Sequence, residues 1–88
     1  MTIEWSVYVL RCADGSYYTG ITNNLARRLL AHRAGTASKY TRGRRPIRLA
    51  CALGSWSTRS AALKLEARIK AMTRRQKRDL IRQEGGVA

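Results

Sequence analysis

Phenylalanine is absent from this 88-residue sequence, proline and histidine occur once each, and cysteine occurs twice. Cys12 and Cys51, with only His32 for company, fall short of the ligand clusters that zinc requires, and a reducing compartment leaves them as thiols. Both are expected to be buried as small apolar residues. No apolar run approaches the roughly 20 residues that cross a bilayer. Met1 to Trp5 carry neither the basic start nor the apolar stretch of a signal peptide, so the cytoplasm is the default location. No phosphate-binding glycine loop, GxGxxG, CxxC or HExxH occurs, which leaves nucleotide-binding and protease readings without support. Acid is scarce as well: five Asp and Glu stand against 18 Lys and Arg, a formal net charge of +13.

What is present follows from that imbalance. Fourteen of the 18 basic residues are arginine, whose rigid fork of donors suits phosphate better than the point charge of lysine does. A polyanion is the expected partner, with nucleic acid first and an anionic membrane surface second. The length allows one domain spanning residues 1–88, and a chain this short buries only about 60% of its unfolded surface, so the core should be thin.

Two stretches, 4–11 and 17–21, combine aromatic and β-branched residues over one strand's length, and Ala13-Asp14-Gly15 between them marks a hairpin turn. From Asn24 the apolar period changes. Leu25 and Leu29 lie one helical turn apart, Leu30 widens the stripe, Thr22 or Asn23 offers a cap, and Gly35 a stop. Arg28 and His32, four apart, share one side of that helix on the flank of its stripe. Residues 36–46 hold four basic residues and no acid, which suits a loop or a single helical turn. Ile47, Leu49, Cys51 and Leu53 then alternate as a strand does, with Gly54 loosening its end. Ser57 or Thr58 caps a helix with an Ala62, Leu65, Ile69, Met72 stripe and Glu66 on its border, and Thr73 with Gln76 reads as the capping box of a last helix. Strands joined by a hairpin, a third strand and several helices make a small α+β domain on an antiparallel sheet.

Few residues offer chemistry. Beside Arg28, His32 should be neutral near pH 7 and able to accept a proton, the plain alternative being a surface histidine. Glu66, between Asp14 and Asp79 the only acid, is either the salt-bridge partner of an arginine or an oxygen ligand for a hard divalent ion. Tyr8, Tyr17 and Tyr18 fall within one hairpin, where tyrosines usually pack with one wet end.

Val7-Tyr8-Val9, then Tyr18-Thr19-Gly20, then Asn24 to Leu29 with His32, resemble the two tyrosine motifs and first helix of the GIY-YIG endonuclease superfamily. Lys39-Tyr40-Thr41, Arg42, Pro46, Glu66 and Ile69-Lys70 are similar to its small stand-alone bacterial branch, and the likeness covers about residues 4–82. It implies a three-stranded antiparallel sheet flanked by helices, in the order β-β-α, a short helix or loop, then β-α-α. It also implies phosphodiester hydrolysis with one Mg²⁺ or Mn²⁺ ion. Tyr8, Tyr18, Gly20, Arg28, His32 and Glu66 match the catalytic positions, and Glu66 that of the metal ligand. The first motif departs from the family name, with Val-Tyr-Val where Gly-Ile-Tyr is expected, and Thr19 and Thr22 stand where some relatives carry isoleucine and lysine.

On this resemblance the substrate is DNA, with RNA left open, in branched, single-stranded or damaged form, and the setting is DNA repair or processing. A protein partner is one way to supply specificity. Tyr8 or His32 takes the proton, Arg28 donates to the phosphoryl oxygens, and nearby arginines lower the Tyr8 pKa. Phosphate contacts are assigned to Arg27, Arg33, Lys39, Thr41, Arg42, Arg44, Arg45, Arg74 and Arg75. A shared site for Tyr8 and Tyr18 requires a three-residue turn with Gly15 left-handed, because a two-residue Asp14-Gly15 turn puts the phenols on opposite faces of the sheet. The competing reading is a non-catalytic basic protein that coats DNA or RNA, for which the charge alone argues equally well.

Overall fold

The computed structural model describes residues 4–86. The elements are β1 (Trp5–Arg11), β2 (Tyr17–Thr22), α1 (Leu25–Ala34), α2 (Lys39–Arg42), β3 (Arg48–Trp56), α3 (Arg59–Lys70) and α4 (Arg74–Gln83). The three strands form an antiparallel sheet in the order β2-β1-β3, the α+β arrangement expected. As the central strand, β1 is covered on both sides. Val7, Tyr8, Val9 and Leu10 are all buried, and successive residues enter different clusters. Val7 and Val9 pack with Cys51, Leu53, Ala62, Ile69 and Ile81, the face covered by α3 and α4. Tyr8 and Leu10 pack with Cys12, Ile47, Leu25 and Leu29, the face covered by α1.

The third strand departs from simple alternation. Ile47 joins the Tyr8 cluster while Cys51 and Leu53 join the opposite one, and Leu49 is left 36% exposed. The pairing explains this: Val9 faces Cys51 but Leu10 faces Leu49, so Ala50 is an extra residue that reverses the side-chain alternation beyond it. Gly54 does not end the strand. It takes φ +64° at a second register shift, with the Trp56 ring so close that any Cβ would collide with it. Asn24, not Thr22 or Asn23, caps α1 by accepting from the Arg27 N–H. Thr58 caps α3, and the Thr73–Gln76 capping box that opens α4 is present in both directions. Met72 lies past the end of α3 but still packs on the apolar cluster.

Candidate active site

The hairpin turn sets the geometry. Cys12 N–H donates to Ser16 O at 2.9 Å, Gly15 N–H to Cys12 O at 2.9 Å, and Gly15 sits at φ +83°. This is the three-residue turn, and Tyr8 consequently pairs with Gly20 while Leu10 pairs with Tyr18. The two phenols are diagonal neighbours on one face, ring centroids 6.4 Å apart. Gly20 is small for a steric reason, since a Cβ there would lie 2.6 Å from the Tyr8 hydroxyl oxygen.

Helix α1 delivers the histidine. Leu25, Leu29 and His32 are spaced i, i+4, i+7, so His32 belongs to the buried stripe rather than its flank, and its side chain is fully inaccessible. The surface-histidine alternative is thereby excluded. Its Nε2 lies 2.8 Å from the Tyr8 hydroxyl and its Nδ1 2.8 Å from Thr41 Oγ1, which in turn lies 2.9 Å from Ser38 Oγ. The Tyr18 ring meets the imidazole edge-on at 5.1 Å. Tyr40 stacks on Tyr18 at 5.9 Å, and the Arg44 guanidinium lies 3.8 Å above the Tyr40 ring.

Burial, with Arg28 adding to it, holds the His32 pKa below its ordinary value, so the imidazole is neutral, as expected, but chiefly through desolvation rather than through its cationic neighbour. The expectation for Tyr8 is overturned. Its pKa rises, because burial outweighs everything else, Tyr18 and Glu66 push the same way, and Arg28 alone opposes them. Tyr8 is therefore a neutral phenol, and its hydroxyl feels both the Arg28 and the Glu66 charge. Glu66 has a side chain only 16% exposed, and the cation beside it is not an arginine but Lys70, one turn on, at a loose 3.6 Å. Even an ordinary i,i+4 helix pair is worth only about 0.3–0.5 kcal/mol. A salt bridge accordingly accounts poorly for a half-buried carboxylate here.

Of the six residues matched to catalytic positions, Tyr8, Tyr18, Gly20 and His32 meet around one hydroxyl, and Arg28 and Glu66 act on it through their charge. The proposed phosphate ligands are more dispersed. Arg27 and Arg33 on α1, and Lys39 and Arg42 on α2, are exposed. Thr41 is a correction: it is fully buried and its hydroxyl is committed to His32 and Ser38, so it faces no solvent and touches no nucleic acid. Arg44 is engaged with Asp14 at 3.0 Å and with Tyr40 O at 2.9 Å, and Arg45 with Arg42 O at 3.1 Å. Arg74 and Arg75 lie on α4, across the sheet from Tyr8, with Arg74 over the Tyr17 ring. Sequence reasoning missed Ser38 altogether. Its signal was a capping residue three positions before a threonine, at the start of a turn too short to be recognised as a helix.

Comparison with known proteins gives the family and agrees with the fold. The family model described as the GIY-YIG catalytic domain matches residues 4–79, and the chain belongs to the GIY-YIG family of nuclease domains. It is 42% identical over 80 residues to the UPF0213 protein BH0048 of Halalkalibacterium halodurans, covering 91% of this chain and 84% of that protein. Over 74 residues it is 47% identical to the UPF0213 protein VNG_2274C of Halobacterium salinarum, covering 84% and 95%. The solution NMR structure of BH0048 matches the fold with a TM-score of 0.61 at 40% identity, over 94% of this chain and 87% of that one. That of EF2693 from E. faecalis does so with a TM-score of 0.61 at 40% identity, over 91% and 84%. Among the described residues no helix is long and apolar enough to cross a membrane.

Proposed function

We propose that the protein is a metal-dependent nuclease that hydrolyses phosphodiester bonds in DNA. The observation carrying this reading is the buried Tyr8–His32 hydrogen bond, a neutral acid paired with a neutral base, with Arg28 and Glu66 acting on the same hydroxyl. Hydrolysis needs an activated water, neutralised charge on the scissile phosphate and help for the leaving oxygen. A neutral phenol is a poor base at pH 7, and the short bond to His32 removes the difficulty. Tyr8 takes the proton of the attacking water as its own passes to Nε2, so the phenol stays neutral and the charge rests on the imidazole. Arg28 donates to the phosphoryl oxygens, and Gly20 leaves the Tyr8 hydroxyl its place.

Among the described residues no three His, Cys, Asp or Glu side chains form a metal cluster, and at this site the Glu66 carboxylate is the group that would hold a metal. This donor set fits Mg²⁺, which is commonly held by one or two carboxylates plus substrate phosphates and keeps several waters. Held by Glu66 and the substrate, Mg²⁺ or Mn²⁺ would supply charge neutralisation at the phosphate and the leaving oxygen. Metal affinity in the absence of nucleic acid is accordingly expected to be weak.

Structured, single-stranded or damaged DNA is the favoured substrate and DNA processing or repair in the cytoplasm the favoured setting. Target choice falls to this domain or to a protein partner. Non-catalytic binding to DNA or RNA is the competing reading, but a pure phosphate binder gains nothing from a buried proton-accepting pair or from Glu66. Labelled duplex, single-stranded and branched DNA, incubated with Mg²⁺, with Mn²⁺ and with chelator, tests the proposal. Metal-stimulated cleavage is expected, and binding to all three without cleavage of any would leave the binding protein as the better account.

A further inference from the structure

Behind the Tyr8–His32 pair the hydrogen-bond chain continues, through Thr41 Oγ1 to Ser38 Oγ, into α2. We infer that Thr41 and Ser38 are positioning residues that hold His32 in its Nδ1–H form, leaving Nε2 as the acceptor of the Tyr8 proton. The inference rests on the nuclease reading for its catalytic meaning but not for its geometry.

Proton accounting decides the direction of the chain. In one direction Tyr8 O–H donates to Nε2, Nδ1–H donates to Thr41 Oγ1, Thr41 O–H donates to Ser38 Oγ, and Ser38, which is half-buried, turns its own O–H outward. Ser38 Oγ also accepts the Thr41 backbone N–H at 3.1 Å, which fixes the threonine in place as part of the helix cap. Every hydrogen then has an acceptor. Reversed, Ser38 donates to Thr41, Thr41 to Nδ1 and Nε2–H to Tyr8, and the Tyr8 hydroxyl hydrogen then has no protein acceptor among the described residues, in a residue only 2% exposed, until the attacking water takes its place beside it. An unmade hydrogen bond at a buried site is the more expensive arrangement. A neutral threonine oxygen behind Nδ1 also stabilises the imidazolium that forms when Nε2 takes the proton, and that proton returns through Tyr8 to water once product has left. The groups facing His32 are Tyr8 from β1, Tyr18 from β2, Arg28 from its own helix and the Thr41 hydroxyl from α2, with Ser38 behind Thr41, while Glu66 from α3 acts on Tyr8.

Nitrogen NMR of the full chain reads the tautomer directly, without any substrate. Wild type is expected to show Nδ1–H as the main neutral form. Thr41→Val, which keeps the shape but loses the oxygen, should move the population toward Nε2–H, and Ser38→Ala should do likewise because the Thr41 hydroxyl then turns to donate to Nδ1. Thr41→Ser should restore the wild-type spectrum. In cleavage assays Thr41→Val should be slower by on the order of 10–100-fold, by analogy with the loss when the group behind a metal-bound histidine is removed. Its acid limb should move to lower pH, because the imidazolium has lost an acceptor. An Nε2–H tautomer in wild type would overturn the inference, as would a Thr41→Val protein with unchanged nitrogen shifts and pH profile. Should Thr41→Val fail to fold, the wild-type tautomer and Ser38→Ala decide the matter. A wild type that cleaves nothing would sink the nuclease reading while leaving the tautomer measurement to stand or fall on its own.

Discussion

Val7 and Val9 on one face of β1 meet aliphatic side chains of α3 and α4, whereas Tyr8, one residue along, meets an imidazole whose other nitrogen is bonded to a third element. The first face is held by non-directional burial, which tolerates small shifts as long as volume is kept. The second adds to the packing of Leu10, Cys12 and Ile47 a set of hydrogen bonds of 2.8–2.9 Å, which weaken steeply with misalignment. The apolar face even keeps two hydroxyls, Tyr17 Oη and Thr19 Oγ1, buried without a partner among the described residues, while on the other face Tyr8, His32, Thr41 and Ser38 satisfy one another. One strand thus carries apolar packing alone on Val7 and Val9 and, on Tyr8 beside the apolar Leu10, the hydrogen-bonded group to which the proposed function assigns proton transfer. Mutations on the two faces should fail in different ways.

The largest effect belongs to the polar side. Glu66→Gln should lose metal-stimulated cleavage while keeping or slightly raising nucleic-acid affinity, and wild-type-like cleavage by a well-folded Glu66→Gln protein would end the metal-site reading. Tyr8→Phe should lower kcat by about 10²–10⁴-fold, the usual worth of positioned proton transfer. Its stability should fall by only about 1–3 kcal/mol, because one imidazole nitrogen loses its partner.

The apolar side should answer in stability. Ile69→Ala, at a fully buried position of α3, should cost about 2–5 kcal/mol in chemical denaturation. At temperatures where that variant stays folded, its kcat should approach wild type. Equal damage to kcat from Ile69→Ala and Tyr8→Phe would dissolve the distinction between the faces.

Acid should strike both readouts through His32. Its folded pKa lies below the ordinary 6.5, so the stability tied to its neutral form is complete above about pH 6.5 and declines as pH falls from there toward the folded value. Cleavage should follow an acid limb centred below pH 6.5, rising with pH. At the alkaline end the raised pKa of Tyr8 keeps its contribution intact up to its ordinary value near 10, and lost beyond. A limb centred above pH 6.5 would remove His32 as the proton acceptor.

Smaller differences sharpen the picture at the surface and in the core. Among the described residues no hydrogen bond or ion pair ties the Arg42 guanidinium, whereas that of Arg44 is bound to Asp14 and Tyr40. Arg42→Ala should reduce the slope of log affinity against log salt by about 0.9, the value of one phosphate contact, and Arg44→Ala should leave the slope nearly unchanged. Thr19→Val, which removes from the apolar face a hydroxyl with no partner among the described residues, should leave the melting temperature unchanged or raise it, while Thr41→Val lowers it. A marked loss of stability in Thr19→Val would show that its hydroxyl has a partner after all.

Local patterns in the chain determined a good deal. Composition, residue spacing and caps located the three strands and every helix but the short α2, Gly15 and Gly35 marked a turn and a helix end, and Thr73 with Gln76 marked the start of α4, because such signals act over a few residues. The ordered motifs from Tyr8 to Glu66 were enough to point to the family, and the requirement that two tyrosines share a face was enough to choose the hairpin turn. What depended on distant neighbours was decided only by the tertiary structure. The extra residue at Ala50 arises from pairing with β1 and so reversed an alternation that looked regular in the sequence. Burial of Tyr8 under α1 raised a pKa that the excess of arginines suggested would fall, since desolvation acts at the buried oxygen itself while most of the guanidiniums lie in water that screens them. Thr41 read as a surface residue in a basic loop, and only the docking of α2 against α1 placed its hydroxyl inside, on the far side of His32.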